Sequence, residues 1–426
     1  MAKIIIRNVG PIKEAEFDLN KVNVIMGPQS SGKSTIAKII SYCTWVEKDV
    51  ATSQSLKMYQ DNKNLFKEHI ENFHKIKGYF RPDSFISYKS DVIDILWENQ
   101  ECEIKWVDQY AYKRSKISYI PSERNMVILP DVKKVEFGNT NVRSFLFDWF
   151  DARKNYPKEN KLSILKLGVD YYFMESGMNE EDHIRGIDNN REYDILLSNA
   201  SSGLQSIAPL LGMIDYLTNW IYKEDNTSFL QEDKQRKVSN LIIDEKILKP
   251  FFDVEVISKD ERKVKIQEIN DKIRDNDPSV RKLFIDYRKQ ITNLFSTHNT
   301  QFIIEEPEQN LFPETQRDLI YHLLEKCLNR EGNRLTITTH SPYVLYALNN
   351  CMMGGLVYDN MSEQDKDSIN CKQSLIKPNQ VSAYEIHKGV LTPIQQDDKL
   401  IGANFFDKNM KELMNDFYVL LNYYGK

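Results

Sequence analysis

Short apolar runs that end abruptly in polar residues set the rhythm of this chain. Residues 3 to 26 predict three strands: KIIIRNV, then KEAEFDL after the turn GPI, then KVNVIM, the most continuously apolar and so the most buried. A glycine-rich segment follows directly, and STIAKIISYCTWV resumes with helical spacing. The same succession returns later. QFIIEE predicts a short buried strand and PETQRDLIYHLLEKCLN a helix; RLTITTH predicts a second buried strand, and SPYVLYALNNCMMGGLVY a helix followed by another strand. Between these blocks, KISYIPSERNMVIL at 116 to 129 predicts a strand entering a polar loop. Helical spacing dominates from Leu204 to about Phe295, interrupted by a predicted hairpin in KPFFDVEVISKDERKVKIQ. Strands that lead into helices and end in conspicuous polar residues predict a layered α/β fold with its site at the carboxyl ends of the strands.

The glycine-rich segment supplies the first chemistry. Gly27, Pro28, Gln29, Ser30, Ser31, Gly32, Lys33 and Ser34 match G-x-x-x-x-G-K-[ST] in full, between a strand and a helix as that motif requires. Backbone N–H groups and a helix N-terminus surround phosphates there, Lys33 reaches the β and γ phosphates, and the Ser34 hydroxyl ligates magnesium. Thr35 starts the helix near the α phosphate. A triphosphatase also needs an acid for the metal and a group that orients or deprotonates water. Glu305 and Glu306 emerge together at the end of FIIEE, and neighbouring strand residues face opposite sides. Glu305 is therefore assigned to magnesium, directly or through water, and Glu306 to general base, with Glu308 orienting the site. His340, closing TITTHSP, is assigned as a γ-phosphate contact and sensor of hydrolysis. The other histidines, His69, His74, His183, His298, His322 and His387, stand in no ligand cluster.

Composition narrows the setting. A chain of 426 residues, 41% hydrophobic and 28% charged, can bury one large core or a core with a smaller lobe. A formal charge of -5 argues against nucleic acid coating the whole surface and leaves only a local basic groove open to it. Most Lys and Arg residues interleave with acids, as in DKQRK, KDERKVK and DKIRD, and read as solvated helix faces. Cys43, Cys102, Cys327, Cys351 and Cys371 are too scattered for a metal knuckle or disulfide framework, which suits a reducing compartment. No export signal opens the chain and no stretch approaches 18 apolar residues, so a cytoplasmic protein without a membrane partner is expected.

Together these residues resemble the ABC-type ATPase domain in its RecF and SMC-like branch, and more closely the AAA-family ATPases found beside overcoming-lysogenisation-defect nucleases and in bacterial anti-phage systems. IIIRNVGPIKEAEFDLNKVNVIMGPQSSGKST resembles their N-terminal strands and Walker A, and IPSERN a segment of that branch. SSGLQS at 201 to 206 resembles the signature motif, FIIEEPEQNLFP Walker B with its D-loop, and ITTHSP the switch-histidine segment, all in the family's order. The resemblance implies a P-loop NTPase of ABC/RecF-like architecture, with N-terminal antiparallel strands and a helical signature lobe, that binds ATP and Mg2+. It divides the chain into ATPase core (1–47, 116–139, 297–365), an insertion (48–115), an insertion with the signature lobe (140–296) and a C-terminal extension (366–426). It also implies that Ser202 and Gly203, with Gln205 behind them, cap the γ phosphate bound by an opposite subunit, giving a head-to-tail homodimer or larger oligomer.

This sequence departs from the pattern at three places. Glu305 stands where aspartate is usual, Leu204 replaces a second signature glycine, and no glutamine loop can be placed between Lys33 and Tyr119. Arg124 in PSERN either touches a phosphate or pairs with Glu123. The chain has no internal repeat and no sustained heptad arms, and its last 86 residues are too short and too poor in clustered acids for a typical Toprim nuclease. The expected function is an ATP-driven switch regulating a separate effector, such as a nuclease or toxin, in phage defence. The alternative is a DNA repair or maintenance ATPase that clamps DNA directly. The terminal helix through KNMKELMNDFYVLLNYYG is expected to bury its leucines and tyrosines against the core, with a docking surface as the other use.

Overall fold

The computed structural model describes residues 2–424 apart from 130–131, 133–134, 136–137, 177–178, 189–190, 224–228, 255–256 and 276. Four positions of the polar acidic stretch before the signature, 177–178 and 189–190, thus lie outside the described residues.

The strands are β1 (Ala2–Val9), β2 (Ile12–Leu19), β3 (Val22–Met26), β4 (Phe80–Lys89), β5 (Ile93–Glu98), β6 (Glu101–Trp106), β7 (Ser115–Ile120), β8 (Leu162–Ser163), β9 (Val169–Ser176), β10 (Asn179–Asp188), β11 (Arg191–Leu196), β12 (Asn299–Glu305), β13 (Arg334–Thr339), β14 (Val381–His387) and β15 (Val390–Pro393). The helices are α1 (Lys33–Ser53), α2 (Lys57–Asp61), α3 (Leu65–Phe73), α4 (Asn141–Ala152), α5 (Ser202–Asp215), α6 (Phe229–Ile243), α7 (Lys249–Phe252), α8 (Lys259–Arg274), α9 (Pro278–Phe295), α10 (Pro313–Cys327), α11 (Pro342–Val357), α12 (Glu363–Ser368) and α13 (Phe405–Leu421).

One sheet of eleven strands runs β6-β5-β4-β1-β2-β15-β14-β3-β13-β12-β7. Its half around β14, β3, β13, β12 and β7 is parallel, whereas β1, β2, β4, β5 and β6 pair antiparallel. A parallel sheet needs cover on both faces, and the strand residues meet that need by alternation. Val22, Val24, Met26, Phe302 and Ile304 join a core with α4, α5, α10 and α11, while Ile25 and Ile303 face a second core with α1, α3 and the antiparallel strands. The result is a mixed α/β fold with antiparallel N-terminal strands and helical lobes. Four strands, β11-β10-β9-β8, form a second antiparallel sheet.

Four expectations change. Residues 80–106 extend the main sheet as β4, β5 and β6, edge to edge with β1, so that this part of the 48–115 segment is continuous with the core sheet. The expected hairpin within 249–267, of which 255–256 lie outside the described residues, gives way to two helices: α7 is followed by α8, which starts at a capping box in which Ser258 and Glu261 satisfy each other's backbone N–H groups. The valines and isoleucines that suggested alternation continue as Ile266, Ile269 and Ile273 at helical spacing. No strand follows α11 directly; the chain turns and forms α12, and the next strand is β14, parallel to β3. Finally, α13 buries no side chain, and every residue from Met410 to Tyr424 is exposed. The expected burial of its apolar residues does not occur, because the helix leaves the body after its capped start at Asn404.

A helix with no buried side chain adds little to folding stability, surface changes being worth at most about 0.5 kcal/mol each. Deleting residues 410–426 should leave the thermal midpoint within about 2 °C of the full chain; a larger drop in a melting curve would show that α13 packs on the body.

Candidate active site

The site lies where β3, β12 and β13 end side by side. Val22–Met26 is buried throughout and delivers the chain to Gly27, where φ is 155° and an added Cβ would lie 2.4 Å from the Ile386 carbonyl oxygen. Only glycine fits so close an approach. Gly32, at φ 111°, turns the loop into α1, whose first N–H groups have no partner within the helix. Gln29 and Ser30 form the exposed tip of the loop, while Lys33 and Thr35 are buried and Ser34 is half-buried at the helix start.

The Lys33 ammonium folds across the loop. It donates to the carbonyls of Gly27 at 2.9 Å and Pro28 at 2.8 Å, and lies 3.3 Å from His340 Nδ1. Burial pushes it down to about 8, against the opposing pull of Glu306, Glu308 and Glu305. His340 Nε2 lies 2.6 Å from Glu306 Oε1. One tautomer satisfies both contacts: Nε2–H donates to the carboxylate and Nδ1 accepts from the ammonium. That hydrogen bond from His340 holds Glu306 below the usual carboxylate range, with burial acting in the opposite sense.

The two neighbouring carboxylates differ sharply. Glu305 is 4% exposed; its Oε2 accepts from the Ser122 backbone N–H at 3.4 Å, and its Oε1 has no hydrogen-bond partner. Glu306 departs from the strand with φ 44°, a left-handed conformation uncommon for a non-glycine residue, while its N–H still bonds the Thr338 carbonyl at 2.9 Å. Strand alternation alone therefore does not set the direction of Glu306; a strained turn does. Glu308 braces the result: its Oε1 accepts from Thr339 Oγ1 and from the His340 N–H, both at 2.7 Å. Burial raises its carboxyl above the usual range.

Arg124 resolves the choice that its sequence left open, and neither alternative holds. It is fully buried and gives its guanidinium to main-chain carbonyls: Glu305 at 2.9 Å, Glu306 at 2.8 Å, Pro307 at 3.3 Å, Pro121 at 3.5 Å and Ser206 at 3.2 Å. Glu123 instead accepts from the Ser122 hydroxyl. These partners are far away in sequence, so only the possession of a basic residue in PSERN signalled the role. The guanidinium fork ties the exit of β12 to α5.

The start of α5 is the segment that resembles the signature motif. Ser201 caps it, accepting from the Leu204 N–H at 3.4 Å, and Ser201 and Ser202 are exposed. An added Cβ on Gly203 would lie 3.0 Å from the Asn310 carbonyl oxygen, so the segment sits against the D-loop. The Gln205 amide nitrogen donates to the carbonyls of Ser198 and Ala200, which shapes the loop ahead of the helix. Thus Lys33, His340, Glu306 and Glu308 form one connected group, Glu305 lies beside it, and Ser202 faces outward.

Among the described residues no three His, Cys, Asp or Glu side chains cluster as a metal site. The residues do fit a cation that phosphates also hold: a buried carboxylate oxygen of Glu305 without a partner, and the Ser34 hydroxyl at the loop's end.

Two outcomes follow. An anionic phosphate favours the ammonium form of Lys33, so triphosphate binding near pH 8 should take up a proton, seen calorimetrically as an enthalpy that varies with the buffer, and affinity should fall as pH rises through about 8. Uptake should vanish at pH ~6.5, where the ammonium is already protonated, and in Lys33→Ala. Separately, Arg124→Met strips donors from buried carbonyls that cost about 1–3 kcal/mol each when unpaired, so denaturant titration should show a loss of at least about 3 kcal/mol.

Solved structures matched include the recombination mediator protein RecF-ATPrS in the RecFOR pathway, at 10% identity and TM-score 0.29 over 92% of this chain and 97% of that one. Another is a dimeric ATP-binding cassette in a post-hydrolysis state bound to ADP and Pi, at 10% identity and TM-score 0.30 over 93% and 100%. No curated protein matches the chain. The model of the AAA domain family matches residues 3–281, well over half of the 426 residues, and the chain belongs to that family of P-loop ATPases.

Proposed function

We propose that the protein is a magnesium-dependent ATP hydrolase that works as a switch: it closes on ATP as a head-to-tail homodimer or larger oligomer and so regulates a separately encoded effector, such as a nuclease or toxin, in bacterial anti-phage defence. The single observation that carries the catalytic part is the chain of contacts Lys33, His340, Glu306 at the mouth of the phosphate loop. The defence role and a cytoplasmic location rest on the resemblance of the motifs and on the chain's composition.

In this reading the loop from Gly27 to Ser34 wraps the phosphates, with Thr35 beside the first of them and Lys33 turning from its own loop carbonyls to the β and γ phosphates. Ser34 and Glu305 would hold Mg2+, which would supply charge neutralisation at the phosphates. His340 is drawn to the γ phosphate, and its bond to Glu306 loosens. Glu306 then takes a proton from the attacking water as the bond from the γ phosphorus to the bridging oxygen breaks, leaving ADP and phosphate. Glu308 positions the switch by holding the His340 N–H and Thr339 together. Ser202, outward-facing at the start of α5, and Gly203 beside it complete the site of a second copy, with Gln205 keeping their loop in shape.

The effector part is supported by α13. Met410, Leu413, Met414, Phe417, Leu420 and Leu421 recur at intervals of three and four and are all exposed, the pattern of a helix that packs against another surface.

Glu306→Gln should lower ATP turnover by at least about 100-fold while retaining ATP, the range expected for a lost general base. Phosphate release together with nucleotide retention on a filter checks this; turnover within a few fold of wild type would remove Glu306 from the chemistry. Leu413→Asp combined with Phe417→Asp should abolish co-purification of the neighbouring gene's product and leave ATP turnover unchanged. Undiminished co-purification would place the docking surface elsewhere.

A further inference from the structure

A separate cavity of about 680 Å³ runs along the middle of α1, bounded by α3, β7 and α4. Its walls share no residue with the phosphate loop, the Walker B strand or the switch segment. The volume is that of a site for a small organic molecule. Aromatic side chains form one part of its lining: Trp45, Phe73 and Phe147 stand around it, with Trp45 and Phe147 partly exposed to solvent.

Its polar groups are specific. His74 is 1% exposed, and neither of its ring nitrogens has a hydrogen-bond partner. The ring is held edge-on by Phe73 at 4.9 Å and Tyr119 at 5.2 Å between centroids. Burial pushes His74 down to about 3, so it is neutral and offers one donor and one acceptor. Buried polar groups are almost always satisfied, so an unused pair on a cavity wall points to something that enters and uses it. Charge adds a further preference. Lys48 and Lys116 both line the cavity, and only Asp148, bonded to Lys116 at 2.7 Å, opposes them there. Burial, followed by Arg114 and Lys116, pushes Lys48 down to about 7, a site where an incoming anion is favoured.

We propose that this cavity binds a free, nucleotide-sized heteroaromatic anion, with its planar ring among Trp45, Phe73 and Phe147, its hydrogen-bonding edge at His74 and its negative charge at Lys48. The ligand would bear on the ATP site through two connections. The helix it lies against begins with Lys33, and Tyr119, on the cavity wall, stands on β7 opposite Ile303 of β12, two residues before Glu305. That coupling rests on the ATPase reading; the binding does not.

The test keeps the phosphate loop out of the measurement. Calorimetry with the full chain carrying Lys33→Ala, titrated with AMP, GMP, CMP and UMP, should show one site per chain for at least one of them. Adding Trp45→Ala or Lys48→Gln, each checked for an unchanged melting curve, should weaken that site at least tenfold. Failure of all four to bind, or binding indifferent to both substitutions, would overturn the proposal. A ten-nucleotide single strand binding tenfold tighter than its monomers would overturn the free-metabolite assignment. Loss of ATP turnover in the wild type would count against the ATPase reading alone, since it does not enter the titration.

Discussion

Five backbone carbonyls from three separate segments converge on one buried guanidinium, and the geometry of the site depends on that convergence. Arg124 holds Glu305, Glu306 and Pro307 at the exit of β12, Pro121 at the end of β7, and Ser206 in the first turns of α5. Burying a guanidinium costs several kcal/mol unless its donors are used, and here the fork is used on main chain, with the nearby Glu308, Glu306 and Glu305 carboxylates opposing the burial that pulls it down to about 10. Arg124 joins the exit of β12 to the helix that presents Ser202, so that in the proposed function chemistry at one end of the fork and subunit contact at the other are mechanically linked.

The second constraint is strain at Glu306. Its φ of 44° costs something that the surroundings must repay, and they do so with the Thr338 carbonyl, the His340 ring and the Glu308 bracket on the His340 N–H. Such a residue is poised: a phosphate that competes for His340 removes one of the contacts that hold it. In the proposed function the switch is built from a strained backbone and three hydrogen bonds rather than from a flexible loop.

The strand, loop and helix around Gly27, the β12 and β13 strands and the place of His340 after β13 were legible because each couples a buried apolar run to polar residues at a strand end, a local pattern that burial enforces. The role of Arg124 was not, since its partners are carbonyls, which carry no sequence identity, from residues as far away as Pro307. The helical course of α8 was obscured by a few β-branched residues near Val254 and Val264, whose alternation ends once Ile269 and Ile273 are included. Apolar spacing in α13 fixed a helix but not what covers it: the same stripe serves a core or a partner, and the decision lies in where the chain leaves Asn404. The cavity beside His74 escaped notice for a related reason, because its walls come from α1, α3, β7 and α4 and no one segment announces it.

The central claim is that the exposed start of α5 completes the ATP site of a second copy. Molar mass in solution with ATP and magnesium, for Glu306→Gln and for the same protein with Ser202→Arg added, tests it most directly. The account predicts that Glu306→Gln doubles in mass, or assembles further, when ATP is present, and that Ser202→Arg keeps it at the mass of a single chain while ATP still binds. Assembly that is unaffected by Ser202→Arg would contradict it and would return SSGLQS to the role of a helix cap.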